Sequence, residues 1–217
     1  MKAVSMVGPG RAEADHPIIW DGERLMRLAD RTVLGQPKSI ASPYGPALEF
    51  DGEQDGLLLP DNPLIGWEQF TVEVMFKPDF DGQVEQRFLH MGEVHGPRLL
   101  FELRVEENKW WYLDTFLSSG DSSKTMMNEG YHHVLGRWYH AALTCDGTEL
   151  RNYVNGDLEL KAAFDYVPMG DGQTSIGVRQ NKVSWFKGCI GAIRIKEQVI
   201  APAEFLYNDQ KRESEWR

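Results

Sequence analysis

The chain has 217 residues, 41% hydrophobic and 26% charged, which suits one large all-β domain or two small ones. Its net charge of −10, from 23 Lys and Arg against 33 Asp and Glu, argues against nucleic acid and anionic membrane surfaces as partners. No run approaches the roughly 18 apolar residues of a membrane span, so membrane insertion is not expected.

Met1 to Asp15 carries one early lysine and lacks the apolar core of a secretory signal, so it reads as a loosely ordered start. His16 to Trp20 reads as a first strand, stopped by the turn dipeptide Asp21-Gly22. Gly35 to Gly45, rich in Gly, Pro and Ser, reads as a loop. Strand-like runs then follow at short spacing: 47–50, 56–59, 70–76, 87–91, 98–105, 109–117, 138–144, 149–154, 157–163, 173–178 and 184–195. Each is closed by Gly, Pro, Asn or Asp, the punctuation of an antiparallel sandwich. Asn155-Gly156 is the preferred type I′ hairpin dipeptide, because both residues tolerate positive φ. Asn128 to Gly136 reads as a loop. Pro202 to Tyr207 reads as a single short helix with proline in its first turn, and the charged tail beyond Asn208 reads as frayed, with Trp216 a candidate anchor. There is no internal repeat and no interdomain linker, so residues 1–217 read as one domain.

Alternation assigns the faces. Phe70, Val72, Val74 and Phe76 fall on one side of their strand, and Thr71, Glu73 and Met75 on the other. Leu99, Phe101, Leu103 and Val105 face the core, which turns Glu102 and Arg104 away from it. For 109–117 the outward set is Trp110, Tyr112 and Asp114, or else Trp111, Leu113 and Thr115, and polarity favours the first. For 87–91 the pattern leaves open whether Leu89 or His90 faces out.

The order and spacing of several short runs is more specific than any one of them. Ala47-Leu48-Glu49-Phe50-Asp51-Gly52 is followed by Phe70-Thr71-Val72-Glu73-Val74-Met75-Phe76. Then come Arg137-Trp138-Tyr139-His140, Asn152-Tyr153-Val154-Asn155-Gly156, Ser175-Ile176-Gly177 and Phe186-Lys187-Gly188-Cys189-Ile190. Over about residues 47–207 the chain resembles the laminin-G-like, concanavalin A-like lectin/glucanase superfamily. The resemblance implies a two-sheet antiparallel jelly-roll sandwich with one concave sheet. It also implies an extracellular or periplasmic setting. Near the end the family carries a Gly-x-Ile-Asp-Glu-Val-Arg-like strand. Here Gly191 and Ala192 replace its two acids, which weakens an inherited metal site.

On that fold the expected role is a non-catalytic binding module, most readily for carbohydrate, using the concave sheet or rim loops such as Leu117–Tyr131. Two alternatives stand beside it: a glycoside hydrolase or polysaccharide lyase on the same face, and a protein–protein adhesion module. The expected ligand-binding residues are Glu102, Arg104, Trp110, Tyr112, Asp114 and Arg179, which combine stacking rings with hydrogen-bonding groups. Were the face catalytic, Glu102, Arg104, His90 and Tyr112 would carry the chemistry, since lyases of this fold use Arg, His and Tyr there. Their Gln-x-His motif is missing.

Glu49-Phe50-Asp51-Gly52-Glu53 matches the E-x-D-x-E pattern of a related glycosidase family, but Gly52 belongs in a turn rather than a strand. No cofactor is required. A structural calcium would fall to turn aspartates, with Asp51, Asp79, Asp81 and Asp171 the candidates beside Asp55. His132 and His133, adjacent on the chain, point to opposite faces and do not chelate one ion, and His140 reads as a structural histidine. Cys145 and Cys189 form neither a disulfide framework nor a metal motif, and pair with each other only if their strands are neighbours.

Overall fold

The structure, a computed structural model, describes residues 16–208. The expectations placed on Met1–Asp15 and Trp216 lie outside the described residues. In chain order the strands are β1 (Ile18–Asp21), β2 (Thr32–Leu34), β3 (Lys38–Ser42), β4 (Gly45–Asp51), β5 (Gly56–Leu59), β6 (Phe70–Pro78), β7 (Glu85–Gly92) and β8 (Arg98–Glu106). They continue with β9 (Trp110–Ser119), β10 (Ser122–Met127), β11 (His133–Val134), β12 (Tyr139–Cys145), β13 (Glu149–Val154), β14 (Asp157–Ala163), β15 (Gln173–Ile176) and β16 (Lys187–Lys196).

Two eight-stranded antiparallel sheets result. The first runs β14-β13-β12-β6-β16-β4-β3, with β1 also on β16, and the second runs β10-β9-β8-β7-β15-β5-β2, with β11 beside β9. Hairpins make most neighbours, but β6 and β16 pair across more than a hundred residues, which closes the jelly roll.

The inward sets assigned by alternation meet between the sheets. Phe70, Val72, Val74 and Phe76 are fully buried against Leu99, Phe101 and Leu103. Phe76 is the hub, stacked on Phe88 at 4.5 Å between centroids and edge-on to Trp111 at 5.1 Å. Burial of such faces is what holds a sandwich closed, since isolated hairpins are marginal in water.

Turn chemistry fixes the corners. Asn155 (φ 52°) and Gly156 (φ 85°) form the tight β13–β14 hairpin. A Cβ on Gly156 would meet nothing within 4 Å. Gly156→Ala is therefore expected to cost about 1 kcal/mol through backbone strain alone, read as a lower urea midpoint with an unchanged slope.

Several expectations are corrected. Asp21-Gly22 is no simple turn. Asp21 caps a helix, α1 (Gly22–Arg27), accepting the Arg24 N–H at 2.7 Å. Within the supposed 35–45 loop, β3 pairs along β4. The supposed rim loop 117–131 is largely the end of β9 and the edge strand β10, and β11 lies within 128–136. Pro202–Glu204 is a 3-10 turn, and only the residues after it make a single helical turn. Cys145 and Cys189 are both free. They lie on β12 and β16, which flank β6 on opposite sides, opposite Phe70 and Lys77 respectively. Cys145 packs in the core and Cys189 faces the other way, so they do not meet.

Candidate functional site

The outward faces of the two sheets differ. On the first, Glu73 is fully buried, though alternation places it on the polar side. The C-terminal segment lies across it: Leu206 N–H donates to Glu73 Oε1 at 2.8 Å, and Arg194 Nη2 donates to the Glu204 carbonyl. His140 Nε2 meets Glu73 Oε1 at 2.9 Å and Arg194 Nε meets Oε2 at 2.5 Å. Burial pushes the Glu73 carboxyl up, but His140 and Arg194 outweigh it and leave it below the usual range. This is a structural cluster, in keeping with the structural reading of His140.

Among the described residues no such strap lies over β8 and β9 of the second sheet. Their core residues alternate with an outward set of Arg98, Leu100, Glu102, Arg104 and Glu106 on β8, and Trp110, Tyr112, Asp114, Phe116 and Ser118 on β9. A bulge in β7 between Arg87 and Leu89 puts both Phe88 and Leu89 in the core. Arg87 and His90 therefore both turn outward, which settles the ambiguity in that strand.

Cross-strand neighbours then form an ion-pair network. Arg87 pairs with Glu85 and Glu102, and Arg104 pairs with Glu85. Arg104 also sends both Nε and Nη2 to Asp114 Oδ2 at 2.8 Å. Three carboxyl groups thus share two guanidinium groups. The network is tightly packed, with Asp114 fully buried and Glu102 only 3% exposed.

Burial pushes Glu102 up, Arg87 pulls it down and Asp114 pushes it up again, leaving it at about 7. Folded Glu102 thus keeps its proton to higher pH than a glutamate of the unfolded chain, whose ordinary value is 4.5. The associated stability is full below about pH 4.5 and is lost as pH rises through about 7, on the order of 3 kcal/mol. Glu102→Gln should flatten the fall in melting temperature between pH 5 and 8, measured by thermal denaturation against the parent.

Beyond the network the face becomes aromatic. The Trp110 ring is stacked with His132 at 6.2 Å between centroids, and Tyr112 lies 6.2 Å from the His132 ring. Lys109 Nζ sits 4.6 Å from the Trp110 ring centroid, and Glu106 holds His132 Nε2 at 2.7 Å. Trp110 and Tyr112 are half-buried and His132 is exposed. His133, one residue on, points to the core side and packs on Trp111, so the two histidines face apart as expected.

Of the residues singled out from the sequence, Glu102, Arg104, Tyr112 and Asp114 come together and Trp110 adjoins them. His90 and Arg179 lie nearer the other end of β8. His90 is fully buried, its Nε2 bonded to the Glu93 carbonyl at 2.9 Å and its Nδ1 accepting from Gln180 N–H at 3.3 Å. Glu85, Arg87, Arg98 and Phe116 were not singled out. The parity that placed Glu102 outward holds the signal for Arg98, whereas the bulge conceals that for Arg87.

Of the candidate calcium ligands, Asp51, Asp55 and Asp79 line one cavity, while Asp81 and Asp171 are not among its lining residues. Asp51 Oδ1 accepts the N–H groups of Glu53, Gln54 and Asp55, the bonding of an Asx turn, with Gly52 at φ 80°. Glu53 lies in that turn, so Glu49, Asp51 and Glu53 do not line one strand face. Asp55 ties the turn to Gln36 N–H at 2.7 Å. Asp81 bonds Asn108, and Asp171 is exposed in a loop.

Glu49, Asp79 and Cys189 bring one ligand atom each within 4.8 Å, beside that cavity of about 600 Å³. Their mixture of thiol and carboxylates suits zinc rather than calcium. Lys77 pairs with Asp79 at 3.0 Å, Lys38 lies 3.7 Å from Glu49, and burial pushes the Cys189 thiol up to about 11.

The fold is a two-sheet antiparallel jelly-roll sandwich. The chain belongs to the concanavalin A-like lectin/glucanases superfamily, whose laminin-G-type family model matches residues 51–204. No curated protein matches the sequence. Among solved structures it is similar to domain 4 of AbnA, a GH43 extracellular arabinanase from Geobacillus stearothermophilus, solved in complex with arabinotriose. The TM-score is 0.61 at 20% identity, over 89% of this chain and 87% of that one. It is also similar to a heptameric SAP-like pentraxin from Limulus polyphemus, with a TM-score of 0.59 at 16% identity, over 78% and 82% of the two chains. The botulinum neurotoxin serotype D binding domain gives 0.62 at 13% identity, over 84% of this chain but 46% of that one. At these identities the likeness is one of fold, and no helix of the described residues is long and apolar enough to cross a membrane.

Proposed function

We propose that the chain is a non-catalytic carbohydrate-binding module that takes its ligand on the outward face of β8 and β9. The observation that carries this reading is the shelf of Trp110, Tyr112 and His132 beside the Arg104–Glu85–Asp114 network. A sugar presents apolar C–H faces and a rim of hydroxyl groups. The rings offer stacking area, and the adjoining charged groups offer donors and acceptors. Arabinotriose in the similar arabinanase domain supports a saccharide ligand.

The reading is non-catalytic because the two buried carboxyl groups of the face, Glu102 and Asp114, are each held by an arginine. Glycosidic cleavage needs one carboxyl free to protonate the leaving oxygen and a second that reaches the anomeric carbon or its water. Glu102 and Asp114 lie beneath Arg87 and Arg104 instead. No cofactor is needed, and an extracellular or periplasmic setting fits a glycan ligand.

The test is a glycan and polysaccharide panel with the whole chain, with calcium and with EDTA, scored for binding and for product release. Binding without product release, unaltered by EDTA, is expected. Release of product would overturn the non-catalytic reading, and silence on every sugar would favour a protein partner.

A further inference from the structure

Arg98 and Arg179 differ from the other arginines that meet the sheets. Arg87, Arg104, Arg151 and Arg194 each pair with a carboxylate. Arg98 instead gives Nη1 to the Gly96 carbonyl at 2.8 Å and lays its guanidinium 4.6 Å from the Phe116 ring centroid. Arg179, in the segment between β15 and β16, gives Nη2 to the Val94 carbonyl at 3.2 Å. Neither has an acidic partner among the described residues. The Nε of each is buried with no hydrogen-bond partner, although such donors are ordinarily satisfied.

The two lie close enough to act on one another. Burial and then the Arg179 charge pull the Arg98 guanidinium below its ordinary value. His90 beside them adds no further positive charge, for burial and three arginines hold it down at about 4, so it is neutral. The acid whose charge acts on Arg98 is Glu102, already engaged by Arg87. A chain of net charge −10 thus gathers two uncompensated cations at one end of the face. Planar guanidinium groups with free N–H donors match a planar or tetrahedral oxyanion.

We propose that Arg98 and Arg179 form an anion subsite for the carboxylate or sulfate group of an acidic glycan lying along β8. This rests on the carbohydrate reading above and adds the class of sugar. Arg98 and Glu106 mark the two ends of β8, eight residues apart or about 27 Å at strand rise. An oligosaccharide rather than a monosaccharide would therefore be needed to reach both the anion subsite and the Trp110 shelf.

The experiment compares binding of oligogalacturonate, a sulfated polysaccharide and a neutral arabino-oligosaccharide. The proteins are the parent, Arg98→Gln, Arg179→Gln and Trp110→Ala, each checked for folding by circular dichroism. Acidic glycans should bind more weakly as salt rises and lose at least tenfold in affinity in either arginine variant. In Arg98→Gln any neutral-sugar affinity should stay within twofold, whereas Trp110→Ala should weaken it. Preference between the first two probes distinguishes carboxylate from sulfate. Acidic glycans that bind the arginine variants as they bind the parent would overturn the subsite, as would a panel on which neutral sugars alone bind. A third arm separates the two readings: free galacturonate or sulfate should raise the parent's melting temperature but not that of Arg98→Gln. If that shift occurs while no glycan binds, the subsite stands and the carbohydrate reading falls. If neither occurs, both fall.

Discussion

Glu73→Ala is expected to cost about 3–5 kcal/mol, since it leaves the buried Arg194 and His140 without their carboxylate. Both oxygens of Glu73 are in use, one by Arg194 and the other by His140 and the Leu206 N–H. Truncation therefore deprives three donors at once, in a place water does not reach. For a domain of this size the loss corresponds to a melting temperature lower by roughly 10 °C. It should also loosen the C-terminal segment, whose Phe205 packs on His140 at 5.3 Å and on Tyr153 at 5.1 Å. Limited proteolysis should then cut near 200–208 before the sandwich unfolds. Because the folded carboxyl ionises below its ordinary value, its stability is present above about pH 4.5 and fades as pH falls through the lower folded value. Equilibrium urea denaturation at pH 7 checks the magnitude, and a loss under 1 kcal/mol would show that the cluster is not what fixes the strap.

The second large effect concerns ligand binding. With a glycan that binds the parent through this face, Trp110→Ala together with Tyr112→Ala should weaken affinity by about 30-fold or more. That is the loss of about 2 kcal/mol expected when anchoring rings are removed. Both side chains lie on the outward face of β9 and are half-buried, so the melting temperature should change little. Trp111→Ala provides the contrast. Trp111 is fully buried against Phe76 and Tyr139, and its removal should act on stability instead, by about 3–5 kcal/mol. Titration by calorimetry reads the first effect and denaturation the second. Binding that survives loss of both outward rings would move the ligand away from the shelf.

Much of the sandwich follows from local rules. The period-two pattern of 70–76 and 98–105 fixed which side chains face the core, because successive residues on a strand point to opposite sides. Asp51-Gly52 and Asn155-Gly156 fixed two corners, because few residues accept positive φ. The same alternation chose Trp110, Tyr112 and Asp114 as the outward set on β9.

Other features have no local signature. The polar edge strands β3 and β10 are held by backbone bonds to β4 and β9, so their side chains carry little strand pattern. One extra residue in β7 shifts the alternation between Arg87 and His90, and only the pairing with β8 shows where. Helix α1 depends on a cap by Asp21 that reads equally well as a turn. Glu73 is exposed by pattern and buried in fact, because residues more than a hundred positions later fold over it.

The sequence by itself determined the core faces, the corners and the class of sandwich, which arise from contacts between near neighbours and from backbone sterics. Only the tertiary structure decided which sheet face stays open, which carboxylates are neutralised and which two arginines, about eighty residues apart, are left with none. Those outcomes depend on distances between strands that meet through long-range pairing, and charge compensation falls steeply with such distances.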